Sequence, residues 1–567
     1  MRLTRNQKII LIALLLINLR VLFWVQPGNF IMGGDLRPPL NPAAFYTHAA
    51  ELTNAVDFGV PSVYLPRLLD PFLSLTALSA TVGIPVWIAE VAVIYFIYFC
   101  AMLLFYIFSK LVTGNTLIAF VAAFFFGSNL HLIVDREVSA VGFMSMALTI
   151  LPSLAVFAYA IKMKNKRALI FSALLFPLTY AFFPNYKAPI LCLISMALTL
   201  FFFRLDGKFE LNLKKLWRPT VLFLLVILAA SSWVLVYAAL NWQSYSLTNA
   251  SAVTEASTMF YDRPIDVLRL IDHWGFYSSA YGHPYVPYAS TYLENPLVVA
   301  ASFIPTVLAF FGVTAYKTRK QKEIVLIVLA ISLFLTMGFT TLFAQQYFAL
   351  ISVLPLLAPF RAPSNWIFIP IILFSLLVGM ASAKILNRFK TQRNKLLSLA
   401  LILLAIVAAS YPLYNGDVTR NWLNPNEKGV PLPDYFFTTD SYRTETGYML
   451  LLPERTTYVT YNFSTLVNFG NPYPILFAKP YISGTGTEYV QSQNSTIIKE
   501  VYSLALDKNT TSTLEFYGEL GIRYLLLEKC MVLGNTTSLS NITVTNNPHL
   551  IVVHEWKEAT LYYNPYS

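Results

Sequence analysis

Residues Ile9 to Val25 read IILIALLLINLRVLFWV and lead, a few positions later, into the segment Gly33-Gly34-Asp35-Leu36-Arg37-Pro38-Pro39. An apolar run of roughly 17 to 25 residues can cross the hydrocarbon core of a bilayer as a helix. The chain before the run is basic, which keeps it cytoplasmic, and no small-residue cleavage site follows the run. We therefore predict a retained first span, with the N-terminus inside and Asp35 just beyond the outer surface.

The composition extends this prediction to the whole chain. Of its 567 residues, 56% are hydrophobic and only 12% are charged, and the mean hydropathy is +0.57. Soluble chains of this length rarely have such a composition. A helix satisfies its own backbone hydrogen bonds where water is absent, so each long apolar run is interpreted as a span. The runs number about eleven and lie near residues 9–25, 85–109, 115–128, 138–162, 168–186, 188–203, 219–240, 296–315, 324–343, 366–383 and 396–412.

The distribution of lysine and arginine orients these spans. Short basic loops stay on the cytoplasmic side, and with eleven spans all four basic loops fall on the side of the N-terminus. These loops are Lys162 to Arg167, Arg204 to Arg218, Lys317 to Lys322 and Lys384 to Lys395. The net charge of +11 thus reflects topology, and no nucleic-acid partner is needed to explain it. We predict a multi-pass plasma-membrane protein whose outer segments are 26–84, 129–137, 241–295 and everything after about 413.

The sequence pattern changes at about residue 413, where the C-terminal tail begins. Its apolar runs are shorter, and alternating patterns such as Thr456 to Tyr461 indicate strands. Further strands are predicted at 523–527 and 550–553, with a helix between Thr496 and Leu506. The fold class predicted here is a polytopic α-helical membrane domain, residues 1–412, followed by an extracytoplasmic α/β domain, residues 413–567.

Asn-x-Ser/Thr sequons occur only in segments predicted to lie outside, so we expect them to be glycosylated where the host has the machinery. They are Asn249, Asn462, Asn494, Asn509, Asn535 and Asn541. The three cysteines offer neither a disulfide framework nor a CxxC metal site.

The first outer segment, 26–84, is dense in charged residues and prolines, which predicts a compact irregular loop with a short helix near 42–55. One interpretation is an interfacial cap whose charges are solvated. The other is a functional site, because Asp35 follows two glycines that let the backbone approach a ligand closely.

A second acidic group, Asp135-Arg136-Glu137, lies in the tight outer turn that also carries His131. Charges at such a turn can simply be solvated. Alternatively, Asp135, Glu137 and His131 face the same outer cavity as Asp35 and bind acceptor hydroxyls or a divalent cation, Mg²⁺ or Mn²⁺.

The long outer loop 241–295 combines aromatic residues with acids, arginines and a histidine. Aromatic faces beside hydrogen-bonding groups suit a sugar, although tyrosine and tryptophan are equally common at any membrane interface. The sugar-binding candidates are Trp274, His273, Asp272 and Tyr277.

Arginine can hold a phosphate with its fork of N–H donors at the membrane boundary. Arg361 lies in the segment Phe360-Arg361-Ala362-Pro363-Ser364-Asn365-Trp366, just before the tenth predicted span, and Arg37 lies in the first outer segment. Both are candidates for binding a donor phosphate. The alternative for Arg361 is an anchor that extends its charge to the membrane surface.

Three of these segments together resemble a known family. The GGD loop at 33–35, the FRAPSNW segment at 360–366 and LGIRYLL at 520–526 are similar to the arabinofuranosyltransferase-type branch of the GT-C membrane glycosyltransferases and to YfhO-type proteins. The resemblance implies a GT-C core with a catalytic acid on the first external loop, which maps to Asp35, and a polyprenyl-phosphate sugar as donor. The WWD-type motif of oligosaccharyltransferases is missing, which argues against glycan transfer to asparagine.

We therefore predict a hexosyl- or pentosyltransferase of the cell envelope. Asp35 takes a proton from an acceptor hydroxyl on a glycan or glycolipid while the polyprenyl phosphate leaves, and the protein contacts membrane lipid. Two alternatives stay open at this point: a transporter or flippase of lipid-linked sugars, and a non-catalytic glycan-binding protein of the envelope. Transporters usually carry charges at mid-membrane, whereas the spans here contain almost none.

Overall fold

The computed structural model describes most of the chain. The described residues are 4–31, 38–50, 53–54, 60–61, 64–131, 142–182, 187–205, 213–240, 263–271, 274–277, 279–280, 283–284, 286–338, 344–354, 357, 360–419, 428–454, 458–462, 466–470, 477, 479–484, 495–507, 509–531 and 542–566.

The first half of the chain is a bundle of helices. They are α1 Arg5–Asn18, α2 Pro42–Ala50, α3 Tyr64–Arg67, α4 Pro71–Thr81, α5 Val86–Thr113, α6 Thr116–Gly127, α7 Gly142–Met163, α8 Lys166–Leu175, α9 Lys187–Leu205 and α10 Leu213–Leu240. Polar caps begin several of them. Thr4 and Gln7 form a reciprocal capping box at α1, and the Asn115 side chain accepts the Leu117 and Ile118 N–H groups at α6.

The bundle continues beyond the long loop. Its further helices are α11 Pro264–Leu268, α12 Ala289–Glu294, α13 Pro296–Val313, α14 Arg319–Met337, α15 Ala344–Val353, α16 Phe368–Leu386, α17 Gln392–Ala409 and α18 Pro412–Asn415. Short 3-10 helices extend α1 (Leu19–Phe23), follow α8 (Phe176–Phe182) and precede α16 (Pro363–Ile367). Two-residue strand pairs lie in the loops: β1 Thr53–Asn54 with β2 Val60–Pro61, and β3 Ser279–Ala280 with β4 His283–Pro284.

Seven helices in the described part of the chain are long and apolar enough to cross a membrane. They are Val86–Thr113, Phe143–Met163, Lys187–Leu205, Arg218–Val236, Pro296–Val313, Pro363–Leu386 and Gln392–Ala409. Each coincides with a predicted span. The other four predicted runs are also helical, but α1, α6 and α8 have only 14, 12 and 10 residues, and α14 begins with several charged residues. The count of eleven spans, and the topology built on it, stay predictions.

The basic loops meet at one end of the bundle. The Nζ of Lys384 donates to the Thr314 carbonyl over 2.8 Å, and the Nζ of Lys162 donates to the Leu111 carbonyl over 2.9 Å. Gln321, beside a third basic loop, donates to the Leu205 carbonyl over 2.6 Å. We call this the basic end and the opposite one the outer end.

Helix α16 forms the centre of the bundle and is almost wholly buried. It packs between α6 and α13. The approach to α6 is close, because a Cβ placed on Gly379 would lie 2.5 Å from the Ile118 carbonyl oxygen. Small residues that let helix backbones approach are typical of packing inside membranes.

The tail folds into a mixed α/β unit. Its elements are α19 Tyr435–Tyr442, β5 Tyr448–Leu452, β6 Tyr458–Asn462, β7 Leu466–Gly470, β8 Tyr481–Ile482, α20 Ser495–Leu504, α21 Thr510–Glu519, β9 Ile522–Glu528, β10 Ile551–Glu555 and β11 Ala559–Tyr563. The main sheet has the order β10-β11-β9-β5-β8. Strands β9, β5 and β8 run parallel to one another, whereas β10, β11 and β9 form an antiparallel run. The strands predicted at 456–461, 523–527 and 550–553 and the helix predicted at 496–506 are confirmed as elements, with shifted ends.

The tail is joined to the first outer segment. Phe30 and Val430 exchange backbone hydrogen bonds of 2.9 and 2.7 Å in an antiparallel bridge. The Nε2 of His48, on α2, lies 2.9 Å from the Phe477 carbonyl oxygen. Phe30 and Leu40 are also buried in the apolar cluster of the tail. The segments on both sides of 32–37 therefore pack against the C-terminal unit.

Candidate active site

Lys187 connects three elements at the outer end of the bundle. It is the first residue of α9, and its Nζ donates to the Asn365 Oδ1 over 3.1 Å. The same Nζ lies 4.6 Å from the centre of the Phe143 ring, in the first turn of α7, a distance typical of a cation–π contact. Lys187 is not among the residues predicted from the sequence, whereas Asn365 lies in the segment 360–366 that also contains the candidate Arg361.

His131 packs on the same phenylalanine. It follows α6, is fully buried, and meets the Phe143 ring edge-on with the ring centres 4.9 Å apart. Its backbone N–H donates to the Asn129 Oδ1 over 2.9 Å, which fixes the turn after α6. We call His131, Phe143, Lys187 and Asn365 the Phe143 cluster.

The segment that carries Asn365 is held tightly. The rings of Phe360 and Trp366 stack with their centres 3.8 Å apart. The Trp366 Nε1 donates to the Tyr347 hydroxyl over 2.9 Å, and that hydroxyl donates to the Phe360 carbonyl over 2.8 Å. Arg361 is half-buried within this segment. The donor-phosphate candidate Arg361 therefore lies four residues from the contact with Lys187, on a chain segment fixed at both ends.

Asp70 is a second buried polar group beside the cluster. It caps α4, accepts the Phe72 N–H over 2.9 Å, and accepts the Ser145 hydroxyl over 2.9 Å. Ser145 follows Phe143 by two residues on α7. Burial raises the pKa of the Asp70 carboxyl above its ordinary 3.8, while the hydrogen bonds from Ser145 and Phe72 and the charge of Arg67 oppose this effect.

Arg269, just after α11, is the centre of another buried network. Its Nη1 lies 2.6 Å from the Asp266 Oδ1, and its Nε donates to the Ser302 hydroxyl over 2.6 Å. The Nη2 donates to the Tyr292 carbonyl over 2.5 Å. Tyr277 joins this network because its hydroxyl donates to the Asp266 Oδ2 over 2.8 Å. We call these residues the Arg269 cluster.

A small cleft lies beside the Arg269 cluster. It has a volume of about 20 Å³, and its lining includes Arg269, Ser302 and Thr306 together with the turn Ser128 to Leu130. Asn129 of this turn accepts the backbone N–H of His131. The turn that lines the cleft therefore leads directly to the Phe143 cluster.

The structure describes only some of the predicted site residues, and their roles stay predictions. His131 lies in the Phe143 cluster and Arg361 lies beside it. Tyr277 lies in the Arg269 cluster instead, where Asp266 engages its hydroxyl and the Arg263 guanidinium lies 5.0 Å from its ring centre. Trp274 begins the 3-10 helix Trp274–Phe276, but its side chain is outside the described part.

The other predicted site residues stay predictions. Six site residues lie outside the described residues: Asp35, Arg37, Asp135, Glu137, Asp272 and His273. So do the sequons Asn249, Asn494, Asn535 and Asn541, whereas Asn462 and Asn509 are described and exposed. The described residues contain no group of three or more His, Cys, Asp or Glu side chains that could hold a metal ion. A requirement for Mg²⁺ or Mn²⁺ therefore has no support from them, and dialysis against EDTA tests it.

One protein-family model matches most of the chain. Residues 17–546 match the family model described as "Alpha-(1->3)-arabinofuranosyltransferase, N-terminal GT-C domain". No curated protein sequence matches the chain.

Solved structures show the same fold. The cryo-EM structure of arabinofuranosyltransferase AftD from Mycobacteria has a TM-score of 0.65 and 17% identity, covering 100% of this chain and 40% of that chain. Two classes of a mutant AftD give TM-scores of 0.65 and 0.59, both at 17% identity, covering 99% of this chain and 42% and 41% of theirs. The chain thus spans about 40% of the length of AftD. With its seven candidate spans, it is a polytopic helical membrane protein.

Proposed function

The chain belongs to the family of alpha-(1->3)-arabinofuranosyltransferase N-terminal GT-C domains, and on this premise we propose that it transfers a pentosyl sugar of the arabinofuranosyl type. The donor is a polyprenyl-phosphate sugar, and the acceptor is a hydroxyl group of a glycan or glycolipid on the outer face of the plasma membrane. One observation carries the proposal: the contact between Lys187 and Asn365 brings a second cation to the segment of Arg361.

Two cations suit the phosphate of a lipid-linked donor. A guanidinium offers a planar fork of donors, whereas an ammonium acts as a compact point charge. Arg361 supplies the first and Lys187 the second. Lys187 also begins α9, and the backbone N–H groups of a first helical turn, together with the helix dipole, favour an anion at that point. Arg37 remains a further candidate for the same phosphate.

The chemical step is a single displacement. Asp35 takes the proton of the acceptor hydroxyl as the hydroxyl oxygen forms a bond to the anomeric carbon. The bond from that carbon to the phosphate oxygen breaks, and its electron pair leaves with the polyprenyl phosphate. General-base assistance contributes about 100- to 10,000-fold in rate. Arg361 and Lys187 stabilise the charge that collects on the leaving phosphate.

Trp274, Asp272 and His273 follow Arg269 closely in the sequence and remain the sugar-binding candidates.

The test is sugar transfer from a short-chain polyprenyl-phosphate donor by the purified protein in detergent. The Asp35→Asn variant keeps the size of the side chain and removes the base, so we expect turnover to fall by about 100- to 10,000-fold while donor binding persists. A transporter or a glycan-binding protein forms no product in detergent. Retained turnover in Asp35→Asn would show that the base has been assigned to the wrong residue.

A further inference from the structure

Glu90 is an acidic residue within a candidate membrane span. It lies in the second turn of α5, at the outer end, and it is the only aspartate or glutamate in the seven described candidate spans. Ionisable residues inside membrane spans are costly and usually serve a function. Glu90 is also fully buried, so its carboxyl has no contact with solvent.

The contacts of Glu90 lead to the first outer segment. Its Oε2 accepts the backbone N–H of Ile31 over 3.0 Å. Its Oε1 has no hydrogen-bond partner within the described part of the chain. A single backbone N–H offsets only part of the cost of burying a carboxyl group. Packing alone therefore does not explain why an acid occupies this position, where a leucine would fill the space without that cost.

Ile31 is directly connected to the catalytic loop of the proposed function. Asp35 follows it by four residues, and an extended chain spans at most about 3.6 Å per residue, so the two Cα atoms lie within about 14 Å of each other. The residue before Ile31 is also fixed, because Phe30 pairs with Val430. Glu90 and Val430 thus hold two consecutive residues at the start of the segment that leads to Asp35.

We propose that Glu90 is a positioning residue that sets the start of the Asp35 loop through its hydrogen bond to the Ile31 N–H. This inference rests on the proposed function, in which Asp35 is the base. Helix α5 packs along α7, so it offers a fixed reference for Ile31, the residue at which the loop begins. Glu90 does not touch the substrate. Its effect is on the placement of Asp35 relative to the acceptor hydroxyl.

The experiment compares two substitutions of Glu90. Glu90→Gln keeps a carbonyl oxygen that accepts the Ile31 N–H, whereas Glu90→Leu removes the acceptor at similar volume. A displacement of about 1 Å can cost 100-fold in rate, so we expect Glu90→Leu to lower kcat by about 10- to 100-fold with little change in donor KM. Glu90→Gln should recover most of the kcat.

Two kinetic outcomes overturn the proposal. In one, Glu90→Leu is folded and keeps its kcat, which means that the bond to Ile31 does not position the base. In the other, Glu90→Gln loses as much kcat as Glu90→Leu, which means that the charge of the carboxyl group matters and the hydrogen bond does not. Glu528→Leu is the matched control, since Glu528 is an equally buried glutamate in the C-terminal unit.

A readout without turnover separates this inference from the proposed function. Hydrogen exchange of the Ile31 amide, measured by mass spectrometry of the peptide that contains it, should accelerate in Glu90→Leu and remain slow in Glu90→Gln and Glu528→Leu. Unchanged exchange in Glu90→Leu contradicts the positioning role. Accelerated exchange in a protein whose wild type transfers no sugar would leave the positioning of the loop intact and reject the proposed function.

Discussion

The Nζ of Lys187 donates to the Oδ1 of Asn365 over 3.1 Å, so the first residue of one membrane helix is tied to the segment that enters another. If this contact forms part of the donor-phosphate site, Lys187→Met should raise the donor KM by about 10- to 100-fold, because a hydrogen bond to a charged group contributes about 1.5–3 kcal/mol. Donor titration in the transfer assay measures this.

The chain offers a matched control for that variant. Lys384 also donates to a side chain, the Thr314 hydroxyl over 2.8 Å, and its Nζ lies 5.4 Å from the centre of the Phe311 ring. It lies at the basic end, so Lys384→Met should leave the donor KM unchanged. Equal KM values for both variants and the wild type would remove Lys187 from the phosphate site.

The buried Asp70 makes stability depend on pH. Because burial raises its pKa above 3.8 in the folded protein, the folded state binds more protons than the unfolded state between 3.8 and the raised value. Stability therefore falls as the pH rises through that window. Asp70→Asn cannot ionise, so its Tm should rise relative to the wild type as the pH increases from about 4 to about 8.

Glu555, whose pKa is shifted in the opposite direction, serves as a control for Asp70. The hydrogen bond and charge of Lys529 lower the pKa of Glu555 below 4.5, so the wild type gains stability as the pH rises through that window. The Tm of Glu555→Gln should accordingly decline, by a small amount, relative to the wild type as the pH rises to about 5, and the difference should stay constant above that pH. A Tm difference for Asp70→Asn that is constant across the pH range would show that Asp70 titrates as in the unfolded chain.

The Arg269 cluster should be sensitive to the loss of one charge. The side chains of Arg269 and Asp266 are 3% and 2% exposed, so Arg269→Met leaves a buried carboxylate without its cation. Breaking a buried pair in this way costs about 3–5 kcal/mol. The double variant Arg269→Met/Asp266→Asn should be more stable than the single one, because no charge remains unpaired.

An exposed ion pair provides the comparison for the Arg269 cluster. Arg319 and Glu323 are 2.7 Å apart, but their side chains are 93% and 52% exposed. Arg319→Met should therefore cost less than about 1 kcal/mol. Thermal unfolding of all three variants measures the difference, and a similar loss in Arg269→Met and Arg319→Met would mean that the Arg269 pair is accessible to water.

The close contact of α6 and α16 predicts a large effect of one methyl group. In Gly379→Ala the new Cβ would meet the Ile118 carbonyl oxygen at 2.5 Å, so the two helices must separate. Overpacking of this kind typically costs about 1–3 kcal/mol. Gly127→Ala is a milder change, since its Cβ meets only the flexible side chain of Met102. In thermal unfolding in detergent, Gly379→Ala should have a lower Tm than Gly127→Ala. The reverse order would contradict the close packing of α6 against α16.

The helices were largely predictable from the sequence because the bilayer imposes their length. The run predicted at 188–203 is the helix Lys187–Leu205, and the run predicted at 296–315 is Pro296–Val313. Hydrophobic length does not determine how the loops fold, and the aromatic pattern of 241–295 did not reveal that Asp266 engages the hydroxyl of Tyr277. Such contacts depend on residues brought together by the fold.

Lys187 and Glu90 could have been identified as unusual from the sequence alone. Lys187 stands between the runs predicted at 168–186 and 188–203, on the side that the predicted topology places outside, where the positive-inside rule disfavours lysine. Glu90 is a single acid within a long apolar run. In both cases a charge stands where the general pattern of a membrane protein would exclude it. Their partners, Asn365 and Ile31, could be identified only in three dimensions.

The attachment of the tail to the first outer segment has a consequence for biosynthesis. The Asn29 side chain donates to the Lys428 carbonyl, and these two residues are 399 positions apart in the chain. The first loop therefore emerges from the ribosome long before its partner is synthesised. Every intervening helix must enter the membrane before the two segments can pair. We expect the segment around Asn29 to reach its final packing only after residue 428 has been made, so nascent chains arrested before residue 428 should expose the peptide around Asn29 to added protease.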